Sequence, residues 1–436
     1  MKEKQVVKNA SWIIVCKVMQ SVMQLVIGMI SARYLGPDNY GLINYAASIV
    51  AFALPIMKLG FDAILVHELV ESPEKEGEIM GTSLLANVVS SVACMIGVFG
   101  FSAIVDYGKT ETIIVCVLYS LSVFFAALEM IQYWFQYKLM SKYSSIIMLI
   151  AYVFVSAYKI FLLATAKSIF WFAVSHSVEY GLIGIMLIVT YYKKGGTRLS
   201  FSFQRFRKML RKSRPYIGAA IMVVVIQNTD HVMLTKMVGE AENGYYAAAI
   251  TCAGVAQFVY TAIIDSFRPL ILSSKKTDEA AYEKNLSRLY SVVTYLALAQ
   301  NLVFAIGAHW MVKWLYGVEY MAAVPVLQIL TWYRAFSFMG TIRNIWLLAE
   351  NKQKYLPFIN MFGVVCNIVL NAVMIPFFGA VGAATASLIT QFAMNFGFGF
   401  IFKQIRKNNQ IMMVGLNPAF LLRESKDIIR AIRKKK

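Results

Sequence analysis

Long apolar runs, separated by short polar segments, recur along the chain from residue 11 to residue 403. Each reaches the roughly 18 residues that a helix needs to cross about 30 Å of hydrocarbon. Alternation of apolar and polar residues at a period of two is absent, which argues against a membrane β-barrel. The runs read as helical spans over residues 11–34, 40–67, 79–104, 111–136, 143–165 and 168–192, then 214–236, 244–270, 286–309, 321–349, 355–376 and 379–403. The pattern therefore predicts an all-α polytopic membrane protein of about twelve transmembrane helices.

Composition agrees. The 436 residues are 59% hydrophobic and only 15% charged, whereas soluble domains carry about 25% charged residues. The formal net charge of +19 would point to nucleic acid in a soluble protein. Here the basic residues sit between spans, and anionic membrane lipids are the simpler partner. Arg33, Lys109, Lys167, Lys236 and Lys313 fall on one side of the membrane, and Lys17, Lys58, Lys159, Arg334 and Arg343 fall within spans. All others of the 42 fall on the side of the two termini, so the positive-inside rule predicts cytoplasmic N- and C-termini. The basic start of the chain leads into a full-length span without a small-residue cleavage site, so it reads as a retained first helix. The five cysteines lie singly in apolar runs, without metal or redox spacing.

The basic segment 193–213 divides the chain into a first half, 1–192, and a second, 214–403. Residues 404–436 form a basic tail whose end, with Ile428, Ile429 and Ile432 on one face, reads as an interfacial amphipathic helix or a plain basic tail. The halves match at a constant offset of 203 residues. Gln24, Arg33, Gly36, Gly41, Ala46 and Asp62 correspond to Gln227, Lys236, Gly239, Gly244, Ala249 and Asp265. A gap-free series across two helices indicates duplication. Because each half has six spans, the two repeats are parallel, an arrangement that puts a substrate between halves in alternating-access transporters.

Charged residues inside spans cost about 2.5–3.5 kcal/mol each when they face lipid at the midplane. Several fall on polar stripes at helical spacing: Lys17, Gln20 and Gln24 in the first span; Asn44, Ser48, Lys58 and Asp62 in the second; Ser156 and Lys159 in the fifth. Arg334, Ser337 and Thr341 line up in the tenth, Asn360, Asn367 and Asn371 in the eleventh, and Ser387, Gln391 and Asn395 in the twelfth. These faces predict a shared wet interior or, alternatively, helix-to-helix hydrogen bonding. Lys17, Lys58, Lys159 and Arg334 are its candidate cations. Gln20, Gln24, Asn44, Gln227, Thr341, Asn360, Asn367 and Asn371 are candidate polar lining. Lys58 and Asp62, four apart, are placed to pair. Arg343 lies about opposite the Arg334 stripe and reads as structural. His176 and Glu179, three apart, can share a proton near neutral pH. With Asp62, Asp230 and Asp265 they are the candidates for coupling or gating. No glycine-rich phosphate loop with lysine, nucleophile–base motif or metal cluster is visible, so neither a cofactor nor an enzyme is indicated.

Specific stretches add to this reading. They are residues 33–48 (RYLGPDNYGLINYAAS), 59–69 (LGFDAILVHEL), 132–143 (QYWFQYKLMSKY), 230–249 (DHVMLTKMVGEAENGYYAAA), 342–356 (IRNIWLLAENKQKYL) and 367–384 (NIVLNAVMIPFFGAVGAA). With them, residues 1 to about 400 resemble the Wzx-type polysaccharide flippases of the multidrug/oligosaccharidyl-lipid/polysaccharide exporter superfamily. The resemblance implies a MATE-like fold in a bacterial inner membrane. It also implies flipping of undecaprenyl-pyrophosphate-linked oligosaccharide repeat units from the cytoplasmic to the outer leaflet by transport that is ion-coupled, to H+ or Na+, or otherwise independent of ATP. The repeat-unit polymerase and other assembly proteins are the implied neighbours. Arginine and lysine suit the pyrophosphate, and amides suit sugar hydroxyls. The rival readings are a cation-coupled exporter of a drug or metabolite, sharing the fold, and a membrane polymerase or glycosyltransferase, which the short external loops disfavour.

Overall fold

The computed structural model describes residues 2–423, with side chains from Cys16 onward apart from Lys17. The predicted amphipathic end of the tail and the side chain of Lys17 lie outside the described residues. Everything described is helix or short connection. The helices are α1 (Lys2–Lys58), α2 (Phe61–Glu71), α3 (Glu76–Val105), α4 (Thr110–Ala126), α5 (Gln132–Tyr137), α6 (Ser141–Ala164), α7 (Ile169–Lys193) and α8 (Phe203–Met237). They continue as α9 (Glu240–Ala253), α10 (Gln257–Thr277), α11 (Glu279–Leu315), α12 (Ala323–Ala349), α13 (Leu356–Phe392), α14 (Phe398–Ile401) and α15 (Arg406–Leu416).

Glycines divide the longest of these. At 57 residues, α1 would run about 85 Å if straight, far more than one bilayer crossing. Gly36 breaks it at φ 73°, ψ 169°, a conformation closed to other residues, and Pro37 restarts the helix. Gly379 (φ 52°) breaks α13 in the same way. Each of these helices thus contains two of the expected spans. The eighth span is α9 and α10 together, bent by 46° at their junction.

Two boundaries differ from the sequence reading. The second span ends at Lys58, because Leu59 (φ 53°) and Gly60 (φ 66°) turn the chain into a separate helix. Lys58 and Asp62 therefore sit on different helices, and their helical pairing is corrected. The seventh helix starts at Phe203 rather than 214: the Ser202 hydroxyl caps it by accepting from Arg205 N, drawing half of the basic linker into helix.

The chain folds as two compact units, Met1–Gly244 and Tyr245–Lys436. The first helix of the second half, α8, belongs to the first unit because it packs along α1, α2 and α3. The first unit has one apolar core around Tyr45, Met57, Cys116, Val123 and Ala173. Its other core, around Phe61, Leu65, Met80, Trp134, Phe135 and Tyr191, sits at the opposite end of the same helices. The second unit packs α12 against α11 and α13, and α15 along α11. Many large apolar side chains stay outside both units, among them Val89, Ile96, Ile104, Leu302 and Ile306. A water-soluble protein rarely exposes such faces; on helices of this length they are lipid-facing surface, and the protein is a multi-pass membrane protein.

Candidate functional site

The first unit brings four helices' charged residues together in its interior. Lys58 ends α1, Glu129 sits in a 3₁₀ stretch after α4, Lys159 is on α6, and His176 and Glu179 are on α7. His176 Nδ1 is 3.9 Å from Glu179 Oε2, and its ring lies 4.7 Å from that of Tyr119. Lys58 is within Coulombic reach of Glu129, as Lys159 is of Glu179. Neither lysine has a carboxylate at ion-pair distance among the described residues, and both are half-buried. Gln20 is half-buried; Gln24 and Gln227 are exposed. The Asn44 amide donates to the Tyr40 carbonyl of its own helix at 2.8 Å.

One end of this unit carries a reciprocal crossing. The second arm of α1 and the start of α9 touch backbone to backbone. A Cβ on Gly41 would collide with the Glu240 carbonyl, and one on Gly244 with the Pro37 carbonyl. The Asn243 amide donates to Gly41 O at 2.7 Å. Its oxygen meets His231 Nδ1 at 2.6 Å, so Nδ1 carries the proton. Asp230 is buried beside it. Two ion pairs flank the crossing, Lys109–Glu240 at 2.8 Å and Lys236–Asp106. Asp106 is buried and also accepts from the Tyr45 hydroxyl at 3.0 Å. This clasp joins elements from both sequence halves. Asp106, Glu240 and Asn243 were not singled out in the sequence; the repeat-equivalent pair Gly41 and Gly244 was the signal that marked their place.

At the opposite end the linker is strapped to α3. Ser200 N donates to Gly77 O at 3.1 Å and Ser202 N to Thr82 Oγ1 at 3.0 Å. The backbone approaches so closely that a Cβ on Gly77 or Gly81 would strike the Arg198 or Ser200 carbonyl. Glu68 is buried between Lys212 and Arg205. Glu76 meets Lys138 at 2.7 Å and accepts from Trp134 Nε1 at 2.7 Å. His67, Glu68 and Glu71 place one ligand atom each within 4.8 Å of one another; the two carboxylates are also engaged by Lys212. Asp62 lies half-buried in the first turn of α2.

In the second unit, Arg334 projects from α12 with its guanidinium carbon 5.7 Å from the Tyr333 ring. Its Nη2 reaches the turn at Gly254, where α9 breaks before α10. Its buried Nε has no hydrogen-bond partner among the described residues. Arg343 shares an unpartnered Nε among the described residues, but its Nη1 donates to Met394 O and Asn395 Oδ1, both at 2.8 Å, inside a π-helical turn over Ala393–Gly397. Asn371 donates to Asn367, which donates to Ser387, each at 3.1 Å. These buried amides thus join α13's two arms. Thr341 donates to Ser337 O of its own helix at 3.3 Å, and Asn360 is half-buried. Asp265 is exposed and pairs with Arg268 at 3.3 Å, in surroundings unlike those of Asp62.

Comparison with known proteins places this architecture. A family model described as "Polysaccharide biosynthesis protein" matches residues 6–275. The capsular polysaccharide biosynthesis protein CapF of Staphylococcus aureus is 19% identical over 414 residues, spanning 92% of this chain and 100% of its own length. An uncharacterized membrane protein of Methanocaldococcus jannaschii is 24% identical over 238 residues, covering 50% of this chain and 45% of that one. Among solved structures, the lipid II flippase MurJ in its inward closed conformation superposes with a TM-score of 0.70 at 15% identity, over 92% of this chain and 90% of that chain. An inward-facing multidrug resistance MATE family transporter of the MOP superfamily gives 0.67 at 12% identity, over 89% and 96%. At such identities the structures establish a shared fold, the MATE-like fold that the resemblance implied. The family model covers well over half of the sequence, and the chain belongs to the polysaccharide biosynthesis protein family.

Proposed function

We propose that this protein flips lipid-linked oligosaccharide repeat units across a bacterial inner membrane, from the cytoplasmic to the outer leaflet, on an undecaprenyl-pyrophosphate carrier. One observation carries the reading. Lys58, Lys159 and Arg334 are half-buried cations within membrane helices, and among the described residues none has a carboxylate at ion-pair distance. A buried charge left unmatched is costly, and a ligand of opposite charge removes that cost. A pyrophosphate is such a ligand, and the planar guanidinium of Arg334, with Nε unsatisfied, suits two-point contact with it. The polyprenyl tail needs no protein cavity, since it stays in lipid.

The remaining parts fit alternating access. The Gly41–Gly244 clasp holds one end of α1, α4, α8 and α9 shut, so passage at that end requires its release. His176 and Glu179, 3.9 Å apart and close to Lys159, are the proposed site at which H+ or Na+ acts. Family membership and the flippase and transporter neighbours support a transporter rather than an enzyme.

The test uses purified protein in liposomes holding a lipid-linked oligosaccharide, with a membrane-impermeant glycosidase reporting head groups that reach the outside. Wild type should expose heads faster than empty vesicles, with a further rise under an imposed proton or sodium gradient. Arg334→Ala should remove this activity while keeping expression and folding. Gradient-driven efflux of a small organic cation without any head-group movement would transfer the protein to the exporter reading.

A further inference from the structure

The first turns of α8 carry cations on two faces with different fates. On one face Arg205 and Lys212 are consumed by Glu68, Glu71 and Glu78. On the other, Arg207, Arg211 and Arg214 follow one another at helical spacing, exposed, with no carboxylate at ion-pair distance among the described residues. They line a groove of about 440 Å³ together with Phe203, Phe206 and Leu210. Phe203, at the start of α8, is 69% exposed.

The depth of this groove is set by the helix itself. At 35 residues, α8 is about 52 Å long, some 20 Å more than the hydrocarbon it crosses. Its part beyond Pro215, apolar over 217–226 and again over 232–234 with the polar run 227–231 between, is long enough to fill the hydrocarbon. Arg214 and Arg211 then stand within about 6 Å of the boundary, inside the headgroup layer, and Arg207 one turn further out. Two guanidiniums at headgroup depth, with a third one turn beyond on the same face, match the anionic phosphate of a membrane lipid. We infer that Arg207, Arg211 and Arg214 form a binding site for the phosphate headgroup of an anionic glycerophospholipid whose acyl chains stay in the bilayer beside the apolar part of α8. The paired face of the same helix pins the site to α2 and α3, so the bound lipid braces the linker. This inference does not depend on which substrate is carried.

The experiment compares lipid retention by native mass spectrometry of the full-length protein, released from membranes of phosphatidylglycerol and phosphatidylcholine mixed equally. Wild type should keep phosphatidylglycerol selectively. The variant R207Q/R211Q/R214Q should lose roughly 100-fold of that preference, at about fivefold per arginine near the surface. The control K193Q/K276Q/K354Q removes the same charge elsewhere and should keep it. Equal loss in both variants, or none in the first, would overturn the site, as would inorganic phosphate at millimolar concentration displacing the lipid. Should the triple variant fail to fold, a photoactivatable phosphatidylglycerol on the wild type decides: crosslinks confined to the peptide spanning 203–214 support the site, and crosslinks elsewhere refute it.

Discussion

Gly41 and Gly244, equivalent positions of the two repeats, meet each other: a Cβ on Gly41 would sit 2.8 Å from the Gly244 nitrogen. Each glycine is needed because the partner helix's backbone occupies the space where its side chain would be. Gly41→Ala and Gly244→Ala should each lower the melting temperature in detergent, as expected from overpacking of about 1–3 kcal/mol. Gly97→Ala is the control, since nothing lies within 4 Å of its Cβ position. Equal melting points for all three variants would contradict a backbone crossing at this place.

The clasp's ion pairs are unequal. Asp106 is buried and shared between Lys236 and Tyr45, whereas Lys109 is largely exposed. Lys236→Met should therefore cost about 3–5 kcal/mol by stranding the Asp106 charge, and Asp106→Asn in the same chain should recover part of it. Lys109→Met should cost no more than about 1 kcal/mol. Unfolding midpoints of the three variants against wild type test the ranking.

Arg334 and Arg343, nine residues apart on α12, should separate transport from stability. Arg343→Leu leaves the Met394 carbonyl and the Asn395 amide without their donor, each loss worth about 1–3 kcal/mol, and should lower the melting temperature. Arg334→Ala removes no hydrogen bond from Nε and should leave the melting temperature nearly unchanged while stopping head-group movement. Reversed outcomes would exchange their roles.

Lys407 ties α15 to α11 through Glu279 and Glu283 at 2.7 and 2.8 Å. These carboxylates hold the lysine above its usual range. A raised lysine contributes fully below its unfolded value and loses that contribution only as pH climbs through the folded one. Hydrogen exchange of residues 406–416 should then be flat in protection between about pH 6 and 9, after correction for the intrinsic rate. Lys407→Ala should raise it several-fold, and so should about 0.5 M salt, because the pairs are exposed.

Much of the architecture was written in hydropathy and in the repeat. The apolar runs located the spans, and the angle between Arg334 and Arg343 on one helix set apart the arginine that hydrogen-bonds Met394 and Asn395. The breaks were less legible. Gly36–Pro37 announces its turn, but Leu59 at φ 53° is an ordinary leucine whose conformation is imposed by packing, with the Ser213 hydroxyl donating to its carbonyl at 2.7 Å. The polar stripes were legible as stripes only. Asn367 and Asn371 are hydrogen-bonded between helix arms, while Lys58 and Lys159 converge with carboxylates that periodicity cannot bring together, because they come from four separate elements.

The strap at Gly77 and Gly81 changes what the peptide bonds just before it are for. Gly195, at φ 85° in open space, lies upstream of a segment already fastened through Ser200, Ser202, Arg205 and Lys212. Covalent continuity at residues 194–196 is therefore redundant for holding α8 against α3. A chain cut there would leave α8 fastened to α2 and α3 by side chains and backbone alone, so the nick should cost the first unit little of its packing.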